Sequence, residues 1–558
     1  MFLEKEFKEE IDLSKSLKLS GVDCLFGCDD QGLIPGIDQS NIRYFQLNHE
    51  QAAVHAADGF ARATGIPGVV LLSSAAGISN AITGIATAYS DSVPLVIIAG
   101  PLAAKPQNKE ALQELDILGI TMPITKYSFK LNDWGRFAEA LQSALTIAAD
   151  GRPGPVLIEY TMEPSADFQE EIPSYRRHAR SQMREGQMEK SINSAVELFE
   201  TARKPVLFIG GGVISSGAAD SLREIVRQAR IPVVSSLMGI GAMEAKNPLY
   251  LGMLGMHGTF AANKAVHQCD LLISIGVRFS DRVTGKISGF SPKSKKIHVD
   301  VDPAEINKII SVDLPIVSDA KAFLSKLKEK LNYNQIFRDA EMWTNEVIGW
   351  KRTVPRFDKY HSILSPQAVI KKLNEYSSRE TIVVTDVGQH QIWTAHHYHF
   401  SSPRTLITSG GLGTMGYGLP AAIGAAAACP GKPVLCVSGD GSFQMNLQEL
   451  IIAVKYQLPI KIAILNNGYL GMVRQWQELF YHGRYSSVKI SSPNFAKLAE
   501  AYGVPGYKVR SEEEVERVIA EAFQHSGPAL IEFDVVEEEN VYPMVPPNHS
   551  NHQIILSR

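Results

Sequence analysis

Cysteine is scarce, with five in 558 residues, at positions 24, 28, 269, 429 and 436, and none sits in a CxxC or Cys/His zinc pattern. That argues against a disulfide framework or a zinc site and predicts reduced, mostly buried thiols in a cytoplasmic protein. Long apolar runs are missing too. No stretch of about 18 apolar residues occurs, so a membrane span is not expected. The opening residues MFLEKEFKEEIDLSK are charged and mixed in sign and lack the apolar centre of a signal peptide. Neither sign of charge dominates: the net charge is −4, which gives no footing for nucleic acid or a membrane surface. A short solenoid-type repeat is also absent. What is there is the composition of an ordinary soluble globular protein, 45% hydrophobic and 20% charged. At roughly 100–200 residues per domain, the length predicts about three domains.

The pattern of the chain is α/β. VVLLSS (69–74) and LVIIAG (95–100) read as buried parallel strands around a crossover helix, Ile78–Tyr89, and GRPGPVLIEY (151–160) supplies a turn and a last strand. A polar stretch, 168–190, reads as a surface linker. PVLFIGGGV (205–213), IPVVSSL (231–237), DLLISIGVRF (270–279) and KKIHVDVDP (295–303) are the strands of a second unit, followed by a polar helical stretch over about 320–360. A third unit starts at TIVVTDVG (381–388) and continues through PVLCVSGDG (433–441), IKIAILNN (460–467) and PALIEFDV (528–535). The expectation is three doubly wound parallel-sheet domains, at 1–167, 190–335 and 361–537, with a Pro-rich polar arm or lid at 538–558.

Two strands of the third unit end in chemistry. VLCVSGDGS closes on Gly439-Asp440-Gly441-Ser442, and IKIAILNN closes on Asn466-Asn467. In an open parallel sheet these ends lie at the carboxyl edge, where ligands bind. Asp440 and Asn467 offer hard oxygen ligands that suit Mg²⁺ or Ca²⁺. The glycines let backbone N–H groups approach a phosphate at the start of a helix. Mg²⁺ usually binds through one or two protein ligands plus phosphates, so a diphosphate cofactor suits this edge better than a bare ion. A tight strand-to-helix turn with a chance Asn pair would give the same letters.

GDGS, followed by NN with Asn467 lying 27 positions after Asp440, resembles the fingerprint of the thiamine-diphosphate enzymes. The resemblance implies a third metal contact from the Tyr469 carbonyl, and cofactor contacts from the adjoining Leu470, Gly471 and Met472. That cofactor needs a carboxylic acid beside its aminopyrimidine ring. RYFQLNHE (43–50) ends a strand at Glu50, before an Ala-rich helix, and Glu50 matches the family's activating acid. A partly buried Glu would carry a raised pKa and could share a proton. The plainer reading is a first-turn Glu favoured by the helix dipole. In the family, the acid comes from one subunit and the metal site from another, which implies at least a dimer. Gly413 and Met415 lie in GLGTMGYGLPAAIGAA (411–426), and Met415 stands where the family has the bulky residue that bends the cofactor; a core-facing Met is the alternative. DVGQHQIW (386–393) resembles the diphosphate-side loop, with Val387, Gly388, Gln389 and His390 as contacts, although His390 could be an ordinary loop histidine.

LGMLGMHGT (251–259), RFSDRVTGK (278–286), HVDVDPAEI (298–306), LGMVRQWQELFY (470–481) and ENVYPMVPP (539–547) narrow the resemblance to the acetohydroxyacid (acetolactate) synthase large-subunit family, from about residue 18 to 547. The resemblance implies decarboxylation of pyruvate and transfer of the remaining two-carbon unit to a second 2-ketoacid. It implies FAD in the middle domain against Arg152, Gly210, Gly211, Gly212, Met238, Met256, His257, Gly276, Arg278, Arg282, Glu305 and Asp319. Gly210–Gly212 could equally be a tight turn. Arg282 matches the residue that holds the acceptor carboxylate, which a guanidinium does through a bidentate pair; an ion pair with Asp281 is the alternative. Trp476 and Met253 match the acceptor pocket, although a Trp can simply pack. Gln113 and Lys126 match further active-site positions. A homodimer or homotetramer is implied, and a small regulatory subunit is a possible partner.

The pattern breaks in five places. Gly27-Cys28-Asp29-Asp30-Gln31-Gly32 replaces a neutral Gly/Pro-rich loop; its anions would repel a 2-ketoacid, while Gln31 could donate a hydrogen bond to the reacting group. Leu112 replaces a Phe and would widen the donor pocket. SSAAGISN (73–80) replaces a Gly-Pro pattern. Ser280 and Ser318 replace an Asp and a Gly near the flavin residues. A carboligase or lyase with another acceptor (an aldehyde, a cyclic diketone or a keto-sugar) is therefore the second reading. A pyruvate oxidase-like flavoenzyme and a degenerate regulatory homologue are the third and fourth.

Overall fold

The computed structural model describes residues 13–28, 41–102, 115–131, 134–161, 185–351 and 364–557. Asp29, Asp30, Gln31, Leu112 and Gln113 lie outside the described residues, as does most of the 168–190 linker. Its last part is not linker: residues 185–190 open the helix Glu185–Thr201, whose Met188, Ile192, Ala195 and Phe199 are buried at helical spacing.

Three parallel six-stranded sheets follow one another. The first holds β1 (Cys24–Cys28), β2 (Arg43–Gln46), β3 (Gly68–Leu72), β4 (Leu95–Leu102), β5 (Tyr127–Leu131) and β6 (Pro155–Thr161), in the order β2-β1-β3-β4-β6-β5. The second holds β7 (Pro205–Ile209), β8 (Val233–Ser235), β9 (Tyr250–Met253), β10 (Leu271–Ile275), β11 (Lys295–Asp300) and β12 (Leu314–Val317), in the order β12-β11-β10-β7-β8-β9. The third holds β13 (Ile382–Thr385), β14 (Leu406–Ile407), β15 (Val434–Gly439), β16 (Ile460–Asn466), β17 (Gly506–Val509) and β18 (Ala529–Asp534), in the order β14-β13-β15-β16-β18-β17. Inner strands such as β7 and β10 are buried along their whole length, as strands covered by helices on both faces must be.

Strand order reverses between β7 and β10 in the second sheet and between β13 and β15 in the third. Crossover helices diverge at such a reversal and leave a crevice at the carboxyl ends of the strands. The Gly210–Gly212 run follows β7 and Gly276 follows β10; Asp386–Gly388 follows β13 and Asp440 follows β15. The motifs singled out in the sequence therefore stand at both reversals.

The first and third sheets are joined through one apolar core that runs from Phe26 and Phe45 to Ile462 and Leu530. Its seam is a helix pair, Glu50–Thr64 against Gly418–Ala428. Small residues let the two backbones touch: a Cβ on Gly59 would stand 2.1 Å from the Ala421 carbonyl oxygen, and one on Gly424 would stand 1.7 Å from that of Ala56. Two further clusters belong to the second sheet. Among the described residues no helix is long and apolar enough to cross a membrane.

Candidate active site

At the carboxyl edge of the third sheet, Asp440 is buried and accepts a hydrogen bond from the Ser492 hydroxyl at 2.9 Å. Burial pushes its carboxyl upward, and no salt bridge among the described residues compensates it. A buried carboxylate without a cation is costly, so a metal suits this position. Asn467, also buried, has its amide fixed: Nδ2 donates to Gln389 Oε1 at 3.3 Å and Oδ1 accepts from Tyr469 N at 3.1 Å. The 468–470 turn is held by pairing of Tyr469 with Lys489. Gly441 leaves a bare patch, where an added Cβ would meet Ile490 at 3.0 Å and Leu470 at 3.1 Å, with Met415 Cε at 3.8 Å. Oxygen donors, bare backbone and an uncompensated anion together fit a metal and a phosphate-bearing group.

The neighbouring loop is organised by Asp386, a residue the sequence reading quoted but did not single out. Its carboxylate accepts from the backbone N–H of Val387, Gly416 and Gly418 and from the Ser438 hydroxyl. It thus ties the start of the helix Gln389–His397 to the Met415 turn. Ser442 donates to the Val387 carbonyl at 2.9 Å. His390 is no ordinary loop histidine. It is buried beside Gly388 and Gly439, burial pushes its imidazole down to about 3, and its Nε2 has no hydrogen-bond partner among the described residues. An orphaned buried nitrogen in the first turn of the helix Gln389–His397 fits a polar group arriving from outside the chain.

A cavity of about 1280 Å³ opens where the three sheets meet. Val387, Gly388, Gly413, Met415, Met472 and Trp476 line one end; Arg152, Gly211, Gly212, Met238, Gly276, Glu305 and Asp319 line the other. Met253, Met256, His257, Arg278 and Arg282 also line it, as do the two substituted serines, Ser280 and Ser318. Gly210 is the exception among the expected flavin residues. A Cβ there would stand 2.2 Å from the Gly276 carbonyl oxygen, so its smallness serves the packing of two chain segments. Gly212 packs on Gly276 as well but keeps one side on the cavity. Arg152 spans the first and second sheets, donating to Glu305 at 2.7 Å, to Asp302 at 3.2 Å and to Ser92 at 2.9 Å. A glycine floor, a methionine-rich wall and a tethered arginine fit a long, partly apolar dinucleotide.

Arg282 is not chiefly an ion-pair partner. Asp281 stands 3.9 Å away with both side chains exposed, whereas the guanidinium lies 5.7 Å from the centre of the Trp476 ring. Trp476 is half-buried on the cavity, stacked edge-on against Phe480, and is not core packing. Met415 is likewise half-buried and faces the cavity.

Two candidates stand elsewhere. Lys126 donates to the carbonyl oxygens of Ile147 (2.6 Å) and Asp150 at the end of the helix Phe137–Ala149, and burial pushes its ammonium down to about 8. It does not line the cavity. Glu50 begins its helix, as a first-turn Glu does, and accepts from Asn80 Nδ2 at 3.0 Å. Gly77 makes room for it, since a Cβ there would stand 2.7 Å from Glu50 Oε1. Glu50 does not line the cavity that holds Met415.

The three sheets coincide with the three domains of the thiamine pyrophosphate enzymes. Models of that family match as N-terminal TPP-binding domain over residues 11–120, central domain over 192–327 and C-terminal TPP-binding domain over 386–533. The acetolactate synthase large subunit of Haemophilus influenzae is 41% identical over 98% of this chain and 97% of its own. A probable acetolactate synthase large subunit of Methanocaldococcus jannaschii is 43% identical over 96% of this chain and 92% of its own. The isozyme 2 large subunit of Escherichia coli is 40% identical over 97% and 98%. The chain belongs to the acetolactate synthase large-subunit family of thiamine-diphosphate enzymes.

Proposed function

We propose that this chain is a cytoplasmic acetolactate synthase catalytic subunit, which decarboxylates pyruvate and joins the two-carbon remainder to a second 2-ketoacid. The observation that carries the reading is Arg282 lying over Trp476 in the same cavity as Met415: a cation and an aromatic wall for an acceptor carboxylate, beside the cofactor loop. Asp440, Asn467 and the Tyr469 carbonyl would hold Mg²⁺, and Gly441, Ser442, Val387, Gly388, Gln389, His390, Leu470 and Gly471 would cradle the diphosphate. Thiamine diphosphate, when bound, supplies an acidic ring carbon that stabilises charge next to a carbonyl. Met415 and Gly413 would hold the cofactor bent, and Met472 would border it. Glu50 would hold the proton that the aminopyrimidine ring requires.

Glu50 stands off the cavity of its own chain, which supports a homodimer or homotetramer in which a partner's Glu50 completes each site. FAD would occupy the Arg152–Gly212–Gly276–Asp319 end. Relatives named as large subunits support a small regulatory partner. The region of the first sheet would bind the pyrimidine and that of the third the diphosphate. The test is acetolactate formation from pyruvate with thiamine diphosphate, Mg²⁺ and FAD. Carbon dioxide released without acetolactate would move the assignment to another acceptor.

A further inference from the structure

The helix Gly471–Phe480 has two working faces. Val473, Trp476, Gln477 and Phe480 recur at helical spacing and line the cavity. Arg474 and Gln475 point the other way and are fully buried. Arg474 donates to the Glu539 carbonyl at 2.9 Å and to Asn540 Oδ1 at 2.6 Å. Gln475 pairs with Val541 as one strand residue pairs with another: its Oε1 accepts from Val541 N at 2.8 Å and its Nε2 donates to Val541 O at 3.1 Å. The same Oε1 accepts from Gln389 Nε2 at 3.0 Å, and Gln389 Oε1 accepts from Asn467 Nδ2. Both amides are saturated by protein partners, so their orientations are fixed.

From Val541 the chain crosses to the second sheet. Val545 N donates to Met256 O at 2.7 Å, and Met256 N donates to Arg282 O at 2.7 Å. Lys286 N donates to His549 O at 3.0 Å. Asn551 Nδ2 donates to Val283 O and to Asn263 Oδ1, each at 3.1 Å, and Asn551 is buried. The tail thus grips both sides of the short helix Asp281–Thr284 that carries Arg282.

We propose that Gln475 and Asn551 are positioning residues that set where Arg282 stands over Trp476, and that Gln475, through Gln389, ties that placement to the Asn467 edge. Residues 541–551 act as a strap: one end is fixed to the metal edge, the other to the segment bearing the acceptor's cation. The inference rests on the acetolactate synthase reading for its kinetic consequence and on hydrogen bonding alone for its mechanical one.

The experiment compares wild type, Gln475→Leu and Asn551→Ala in two ways. In the first, pyruvate and 2-ketobutyrate (one methylene longer) compete as acceptors. The expected result is a product ratio shifted about threefold or more in both variants, with a raised acceptor KM and carbon dioxide release from pyruvate within about twofold of wild type. An unchanged ratio and KM in both variants would overturn the proposal. In the second, amide hydrogen exchange is followed on adding thiamine diphosphate and Mg²⁺, whose binding is read separately by calorimetry. Slowing at Met256 and Val545 is expected in wild type and is expected to be lost in Gln475→Leu that still binds the cofactor. Equal slowing in both proteins would overturn the coupling. If no 2-aceto-2-hydroxy acid forms even in wild type, the acetolactate reading fails and the exchange result alone decides the strap. If Gln475→Leu does not fold, Asn551→Ala at the far end carries the kinetic test.

Discussion

Asp440 and Asn467 draw their chemistry from what surrounds them: burial, a Ser492 hydroxyl and an amide pinned by Gln389, with no salt-bridging cation among the described residues. Asp440→Asn removes the anion that a cation would neutralise, so metal affinity measured by titration with Mg²⁺ is expected to fall by an order of magnitude or more. Glu50→Gln keeps the shape of its contact with Asn80 but cannot hold the proton; product formation is expected to fall by roughly 10²–10⁴-fold with an unchanged melting temperature. Glu449 makes a different prediction. It is fully buried, accepts from Asn48 N at 3.1 Å, and burial pushes its carboxyl up to about 7. A raised carboxyl contributes stability that is complete at low pH and is lost as pH rises through the folded value. The wild-type melting temperature is therefore expected to drop between about pH 5 and pH 7 more steeply than that of Glu449→Gln, by thermal melts at both pH values. Residues that follow an apolar run, such as Asp440 and Asn467, announced themselves in the sequence because a polar group at a strand end has few structural reasons to be there. Asp386, Gln475 and Asn551 did not, since their roles consist of hydrogen bonds to segments far along the chain.

Among the strands, legibility followed position in the sheet. Inner strands such as β3, β7, β10, β15 and β16 are apolar runs buried on both faces, and each was visible as such. The edge strands β5, β12 and β17 are only partly buried; YSFKL and GYKV are mixed sequences, and LPIV is a four-residue run interrupted by Pro315, so none carried such a signal. The 151–160 stretch follows its reading as a turn and a last strand: the turn ends at the Gly154-Pro155 step, where β6 begins. The helix pair Glu50–Thr64 and Gly418–Ala428 was legible as small-residue helices but not as partners. Their contact predicts that Gly59→Ala, forcing a methyl group against the Ala421 carbonyl, costs about 1–3 kcal/mol or more, seen as a lower denaturant midpoint.

For the whole molecule, the separation of Glu50 from its own chain's cavity predicts complementation. Chains carrying Glu50→Gln and chains carrying Asp440→Asn, each inactive alone, are expected to regain about a quarter of wild-type activity when unfolded together and reassembled, because a mixed dimer has one intact site. Recovery of none would place both groups within a single chain's site. The first and third sheets share one continuous apolar core, while the second keeps its own clusters and, among the described residues, lends Ile240, Met253 and the partly buried Leu237 to the apolar cluster of the third. Besides the 541–551 strap, its ties include polar ones: Arg152 to Glu305, Arg223 to the Ser401 carbonyl, and Arg404 to the carbonyls of Ile214 and Ser215. Apolar cores resist shear, whereas polar seams can exchange their partners for water. A ligand as long as a dinucleotide is therefore expected to enter by loosening the arginine seam rather than by parting the first and third sheets.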